Sequence, residues 1–237
     1  MNTVWLVNLD SVPYADALAL QHRIVRARKR GVLNDTLLLL EHPPVLTLGR
    51  NAREANIVAS RDLLQQLGIE VFRVERGGEV TYHGPGQLVG YPILNLGNFR
   101  RDVGWFVRSL EEMLIRALGD FGIRGKRIEK LVGVWVGEVK IAQIGARIEE
   151  WITYHGFALN VDPNLAHFGL IVPCGISDKA VTSMARMLAP RESVEMRAVH
   201  ERIAARFAEV FDVEMVEVTR GELEERLIRL APQSPAA

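Results

Sequence analysis

The chain has 237 residues, of which 48% are hydrophobic, and its 29 Lys+Arg balance 29 Asp+Glu to a formal charge of zero. That length and apolar content suffice for one substantial core, and the charge balance gives no support for a nucleic-acid binder. A single cysteine cannot close an internal disulfide, and no apolar run approaches the ~18 residues of a spanning helix, so a cytoplasmic protein with no membrane association is expected.

In chain order, Val4 to Leu9 reads as a strand. Pro13 stands where a first helical turn tolerates proline and opens an amphipathic segment that runs to about Arg30 and stops at Gly31. Thr36 to Glu41 suits a buried strand, His42-Pro43-Pro44 breaks it, and Val45 to Gly49 resumes extended structure. A short helix from Ser60 to about Leu67 closes on Gly68, and the strand Glu70 to Val74 leads into a glycine-rich stretch, Arg76 to Tyr91. From Val103, Phe106, Val107, Leu110, Met113, Leu114, Ala117, Leu118 and Phe121 recur at helical spacing. Three strand-like stretches follow, Leu131 to Val136, Val139 to Ile148 and Thr153 to Val161, with turns at Gly137-Glu138 and across Glu149 to Ile152. Val199, Ile203, Phe207, Val210 and Phe211 mark another helix, ahead of a strand near Met215 to Val218 and a last short helix from about Glu222. No repeat or hinge-like linker divides the chain, so residues 1–231 are expected to form one domain and Pro232 to Ala237 a flexible tail. Strands in hairpin-like succession with helices set apart predict an α+β layer fold, not alternating βαβ units.

Gly77, Gly78, Gly84 and Gly86 let a ligand approach backbone N–H groups without a Cβ in the way. The stretch is neither a P-loop, since no Lys-Ser/Thr pair follows it, nor a complete dinucleotide fingerprint. Arg76, Thr81, Tyr82, His83 and Gln87 crowd it with more hydrogen-bonding side chains than an ordinary turn needs. Downstream, Cys174 sits between Pro173 and Gly175, a setting that suits a turn presenting its side chain to a pocket. A cysteine nucleophile needs a nearby group that favours its thiolate, and His83, His155 or a half-buried lysine such as Lys140 could serve. The histidines show no metal spacing and one cysteine cannot complete a zinc site, so no metal is expected. The basic cluster Arg23, Arg26, Arg28, Lys29 and Arg30 reads most simply as a solvated helix end, with docking of an acidic partner as the sharper reading.

The segment Arg76 to Tyr91 resembles the signature of the octanoyltransferase family. The likeness continues through Leu40 to Arg50, Lys140-Ile141-Ala142-Gln143-Ile144-Gly145, His155 to Val161, Pro173-Cys174-Gly175-Ile176 and Thr182-Ser183-Met184. Leu46, where an aromatic is often found, and Val132, where threonine often precedes Gly-Val-Trp, are small departures. The resemblance implies a mixed, mainly antiparallel sheet flanked by helices, similar to the biotin and lipoate ligase catalytic domain. It implies transfer of an octanoyl group from octanoyl-acyl carrier protein, through a thioester on Cys174, to a lysine of lipoyl domains of 2-oxoacid dehydrogenases or the glycine cleavage H protein. In that family Lys140 pairs with the cysteine. Arg76, Gly77, Gly78, Glu79, Val80, Thr81, Tyr82 and His83, with Gln143, Ile144, Gly145, Gly156, Phe157 and Ala158, would bind the acyl substrate. A monomer without cofactor is expected. The rivals are an ATP-dependent lipoate or biotin-type ligase, a thioesterase, and a non-catalytic acyl or lipoyl-domain binder.

Overall fold

A computed structural model describes residues 1–172, 180–190 and 193–230. An eight-stranded sheet has the order β11 (Val213–Glu217), β1 (Asn2–Ser11), β2 (Asp35–Glu41), β6 (Gln87–Ile93), β10 (Ile152–Asn160), β9 (Val139–Glu149), β8 (Leu131–Val136), β7 (Lys126–Ile128). A second sheet of three places β3 (Val45–Leu48) between β4 (Glu70–Arg73) and β5 (Val80–His83). In the large sheet β1 runs parallel to β2 and β11, and every other neighbouring pair is antiparallel. The expected mixed, mainly antiparallel architecture is what forms. One feature departs from it: β1 and β2 are joined by helix α1 (Tyr14–Lys29) as a βαβ crossover, because parallel strands cannot be linked by a tight hairpin.

Both faces of the large sheet are covered. On one, α3 (Val103–Asp120) and α5 (Met196–Phe211) pack Phe106, Leu110, Met113, Leu114, Ile203 and Phe207 over Leu37, Leu39, Leu88 and Leu159. On the other, α1 and α6 (Arg220–Arg229) pack Ala17, Leu20, Ile24, Leu223 and Leu227 over Val7, Leu38, Leu40 and Val89. The apolar run of β2 therefore serves both cores, since alternate side chains of a strand face opposite sides. The caps follow sequence chemistry: Ser60 accepts from Leu63 N–H at the start of α2 (Arg61–Gln66), and Asp102 accepts from Trp105 N–H at the start of α3. The last helix begins at Arg220 rather than at Glu222, because Thr219 and Glu222 form a reciprocal capping box. The short strand β7 and helix α4 (Met184–Leu188) carry too few periodic positions to be read from sequence. Pro232 to Ala237 lie outside the described residues. No helix among the described residues is long and apolar enough to cross a membrane.

The basic end of α1 is tied into the molecule. Arg23 pairs with Glu224 at 2.7 Å, Lys29 with Glu149 and Glu150, and Arg30 donates to the Leu230 carbonyl at 2.7 Å. Arg28 pairs with the buried Asp35 at 2.6 Å, whose carboxylate also takes the Asn95 N–H at 2.7 Å. These charges join α1 to α6 and to the sheet, while Arg26 of the same cluster stays exposed. Removing Asp35 leaves a part-buried guanidinium and a part-buried amide without their acceptor. Asp35→Ala is expected to lower unfolding stability by about 3 kcal/mol, measured by urea titration.

Candidate active site

A cavity of about 340 Å³ opens where the two sheets meet. The small sheet contributes Val80, Thr81 and His83 of β5; the large sheet contributes Val89 and Tyr91 of β6, Lys140 and Gln143 to Gly145 of β9 and His155 to Ala158 of β10. Tyr14, at the start of α1, and the Lys130 to Val132 hairpin also line it.

Arg76 holds the junction. The residue is 7% exposed, and its guanidinium donates to the Thr47 carbonyl at 2.6 Å, to Thr47 Oγ1 at 2.8 Å and to the Gly77 carbonyl at 2.9 Å. The Gly77 N–H in turn donates to the Ala146 carbonyl of β9 at 3.0 Å, which pins the loop to the large sheet. Gly77 and Gly78 therefore face the cavity, whereas Gly84 and Gly86, expected to share that role, form a structural turn instead. Gly86 has φ +82°, a Cβ there would collide with the Asp162 carbonyl, and its N–H is held by Glu41 at 2.6 Å.

Lys140 lines the cavity with its ammonium 4.7 Å from the centre of the Trp135 ring, a cation–π placement. Its backbone pairs with the chain that follows the cysteine segment: Lys140 N–H donates to the Ala180 carbonyl at 3.0 Å, and Thr182 N–H donates to the Lys140 carbonyl at 2.8 Å. Cys174 itself lies outside the described residues. Of the other expected site residues, Gly77 to Thr81, His83, Gln143 to Gly145 and Gly156 to Ala158 surround the cavity together with Arg76. Tyr82 does not: it faces the opposite side of β5, packs on Phe168, and receives a hydrogen bond from His167 Nδ1 at 2.8 Å. Tyr14, Val89, Tyr91, Trp135, Phe168 and Val181 were not singled out from the sequence. Period-two alternation along β6 could have paired Val89 with Tyr91; nothing local marks Tyr14.

The histidines and tyrosines at or beside the cavity, His42, His83, His155, Tyr14 and Tyr91, are buried and neutral. His42 donates from Nδ1 to the Val12 carbonyl at 2.7 Å, so its Nε2 accepts the Tyr91 hydroxyl at 2.7 Å. Burial lowers the His42 pKa to about 4, opposed by the Val12 hydrogen bond. Burial, with repulsion from His42 and Arg76, lowers His83 to about 3, and burial with the Arg76 and His22 charges lowers His155 to about 3. Burial likewise raises the phenols of Tyr14 and Tyr91. His155 is 2% exposed and sits mid-strand at φ +53°, a left-handed conformation that costs a non-glycine residue about 1–3 kcal/mol. Gln21 of α1 accepts its N–H at 2.8 Å and helps to hold the turn, leaving Nε2 without a hydrogen-bond partner, 3.8 Å from Glu75.

Residues 13–208 match the family model of the lipoyl protein ligase A/B catalytic domain. The structure superposes on the bi-partite lipoate protein ligase of Thermoplasma acidophilum with a TM-score of 0.75 at 20% identity, covering 97% of this chain and 91% of that one. On biotin protein ligase from Aquifex aeolicus the TM-score is 0.51 at 14% identity, covering 90% and 70%. These likenesses define the fold as that of the lipoate and biotin ligase catalytic domains. The octanoyltransferase of Solibacter usitatus is 53% identical over 216 residues, 91% of this chain and 96% of that protein. The chain belongs to the octanoyltransferase family and is an acyltransferase.

The three histidines bind protons less readily in the native state than an unfolded histidine of pKa ~6.5. As pH falls, the unfolded chain takes up protons first, so stability present above ~6.5 is lost progressively towards pH ~3–4. Urea midpoints recorded between pH 7.5 and 4.5 are expected to decline steadily with acidification; a flat series would contradict neutral burial.

Proposed function

We propose that the protein moves an octanoyl group from octanoyl-acyl carrier protein to a lysine of lipoyl domains, including those of 2-oxoacid dehydrogenases and the H protein, acting as a cytoplasmic monomer. The observation that carries this reading is Lys140: its ammonium borders the cavity, and its backbone is paired with the strand of chain entering from the Cys174 segment. The name carried by the Solibacter relative agrees with it.

In the first step the Cys174 thiolate attacks the carrier thioester, a carbon–sulfur bond forms to the enzyme, and the carrier sulfur leaves and is protonated. A thiolate exchanges one thioester for another at little energetic difference, so no nucleotide is required. A lysine amine then displaces Cys174 and forms an amide, whose greater stability drives the sequence forward. Lys140 favours the thiolate in its charged form and takes part in proton transfer when it gives up its proton. Val80, Val89 and Ala158 offer apolar wall for the acyl chain. Freedom from a nucleotide distinguishes this reading from the ligase one: a ligase would activate free octanoate with ATP and release pyrophosphate.

Incubation with octanoyl-acyl carrier protein followed by digestion and mass spectrometry is expected to find octanoate on Cys174. Full transfer by Cys174→Ala would falsify the scheme. Lys140→Ala is expected to lose turnover by roughly 10²–10⁴-fold with the fold retained. The pH profile of Cys174 alkylation by iodoacetamide should also move upward in that variant; an unchanged profile removes Lys140 from thiol activation. Ala158→Leu fills the cavity wall and is expected to reduce octanoyl labelling ~10-fold or more relative to butyryl labelling, read from competing carrier substrates.

A further inference from the structure

Lys140 and Gln143 both border the cavity, although they stand three residues apart on β9. Successive side chains of a regular strand face opposite sides, so an odd separation should divide them. Between them Ile141 and Ala142, neighbours in sequence, are both fully buried in the apolar core to which α3 contributes Leu110 and Leu114. The alternation is broken at one point. Val134 of β8 pairs with Ala142, the next residue, Trp135, pairs with Lys140, and Ile141 is left over as the extra residue of a β-bulge. Without that residue Lys140 would fall in phase with Ala142 and meet the core, because a one-residue slip exchanges the two faces of a strand. With it, the ammonium stands 4.7 Å from the centre of the ring of Trp135, its partner across the pair.

The bulge is held from α3. Gly133, one residue before Val134, has φ +120°, and a Cβ there would lie 2.6 Å from the Ala142 carbonyl oxygen, so the close approach of β8 requires glycine at this position. Gly133 has no partner on β9 in this register, and its N–H donates instead to Glu111 Oε1 at 3.0 Å, in a buried bond. Glu111 is itself buried. Its Oε2 accepts from Arg127 Nε of β7 at 3.0 Å, and Arg127 reaches on to Glu112 Oε2 at 2.9 Å and to the Arg108 carbonyl at 3.0 Å. One carboxylate of α3 thus divides its oxygens: one takes the amide beside the bulge, and the other ties down the neighbouring strand. A buried amide without an acceptor is costly, so removing Oε1 favours any shift of β8 that brings the Gly133 N–H to a carbonyl of β9. Such a shift dissolves the bulge.

We propose that Glu111 is a positioning residue for Lys140: by accepting the Gly133 N–H it fixes the bulge that turns the Lys140 side chain from the core to the cavity. Glu111 does not line the cavity and acts through β8 and β9. The effect on turnover rests on the proposed acyl transfer, whereas the placement of Lys140 is a property of the resting protein and is read separately.

In ¹H–¹³C spectra of lysine-labelled wild-type protein, the Lys140 ε-methylene, assigned by its absence in Lys140→Arg, is expected upfield of the other lysines because of the Trp135 ring current. Glu111→Gln, whose side-chain oxygen still accepts the Gly133 N–H, should keep that shift and keep turnover within roughly 3-fold of wild type. Glu111→Leu should lose the shift and lower kcat roughly 30-fold with KM for lipoyl domain within about 2-fold. Arg127→Met removes the ion pair alone and should leave shift and turnover as in wild type. A Lys140 shift that persists in Glu111→Leu, a turnover that survives its loss, or equal damage from all three substitutions overturns the inference. Should Glu111→Leu fail to fold, hydrogen exchange in the wild type decides: the Gly133 amide is expected to exchange slowly, and exchange at the rate of an unprotected glycine overturns the inference without any variant. If wild-type protein transfers no octanoyl group, the acyl-transfer reading fails, and the lysine spectra and Gly133 exchange still test the placement of Lys140.

Discussion

A buried guanidinium holds the two sheets together. Arg76 comes from the loop between β4 and β5, its donors are taken by Thr47 of the small sheet and Gly77, and the neighbouring peptide is hydrogen-bonded to Ala146 of the large one. A charge so far from water persists only where acceptors surround it, and here most of those acceptors are backbone oxygens whose positions are set by strand pairing. The cavity is the space left beside this anchor. Its shape therefore depends on the register of β3 against β5 and of β9 against β10, not on loops alone.

The same cation reaches into the chemistry. Its field opposes protonation of His83 and His155 and partly offsets the burial that raises the phenols of Tyr14 and Tyr91. The interior is thus rich in polar atoms yet poor in mobile charge. Lys140 stands apart, placed over the Trp135 ring at the end of the cavity nearest the Ala180 to Thr182 chain.

The fold is shared with lipoate and biotin ligases at identities of 20% and below, so architecture by itself does not choose between nucleotide-driven ligation and direct acyl exchange. That choice belongs to the side chains. The relationship to octanoyltransferases, at 53% identity over most of both chains, narrows it in a way that the backbone does not.

Local patterns determined most of the elements. The helical stripe from Phe106 to Phe121, the apolar run of β2 and the hairpins around Gly137 and Glu150 are short-range consequences of spacing and turn chemistry, and the octanoyltransferase motifs were readable as written. The division of the glycine-rich stretch was not. Gly77 and Gly78 face the cavity while Gly84 and Gly86 make a turn, because Glu41 and Asp162, distant in sequence, close around Gly86 and the Tyr82 ring fills the space at Gly84. Tyr82 likewise looked equivalent to Thr81 and His83 until the pairing of β5 with β3 assigned alternate side chains to opposite faces. Tyr14 had no local signal, and the family-like segments that contain His42 and Tyr91 did not say what either side chain would touch. The roles of His42 and Tyr91 arise from hydrogen bonds that span 30 and 49 residues, and their direction is decided by the Val12 carbonyl, which can only accept. Sequence specified the groups capable of chemistry; tertiary packing specified which of their protons and lone pairs remain available, since a donor or acceptor already engaged by a distant strand has none to offer a substrate.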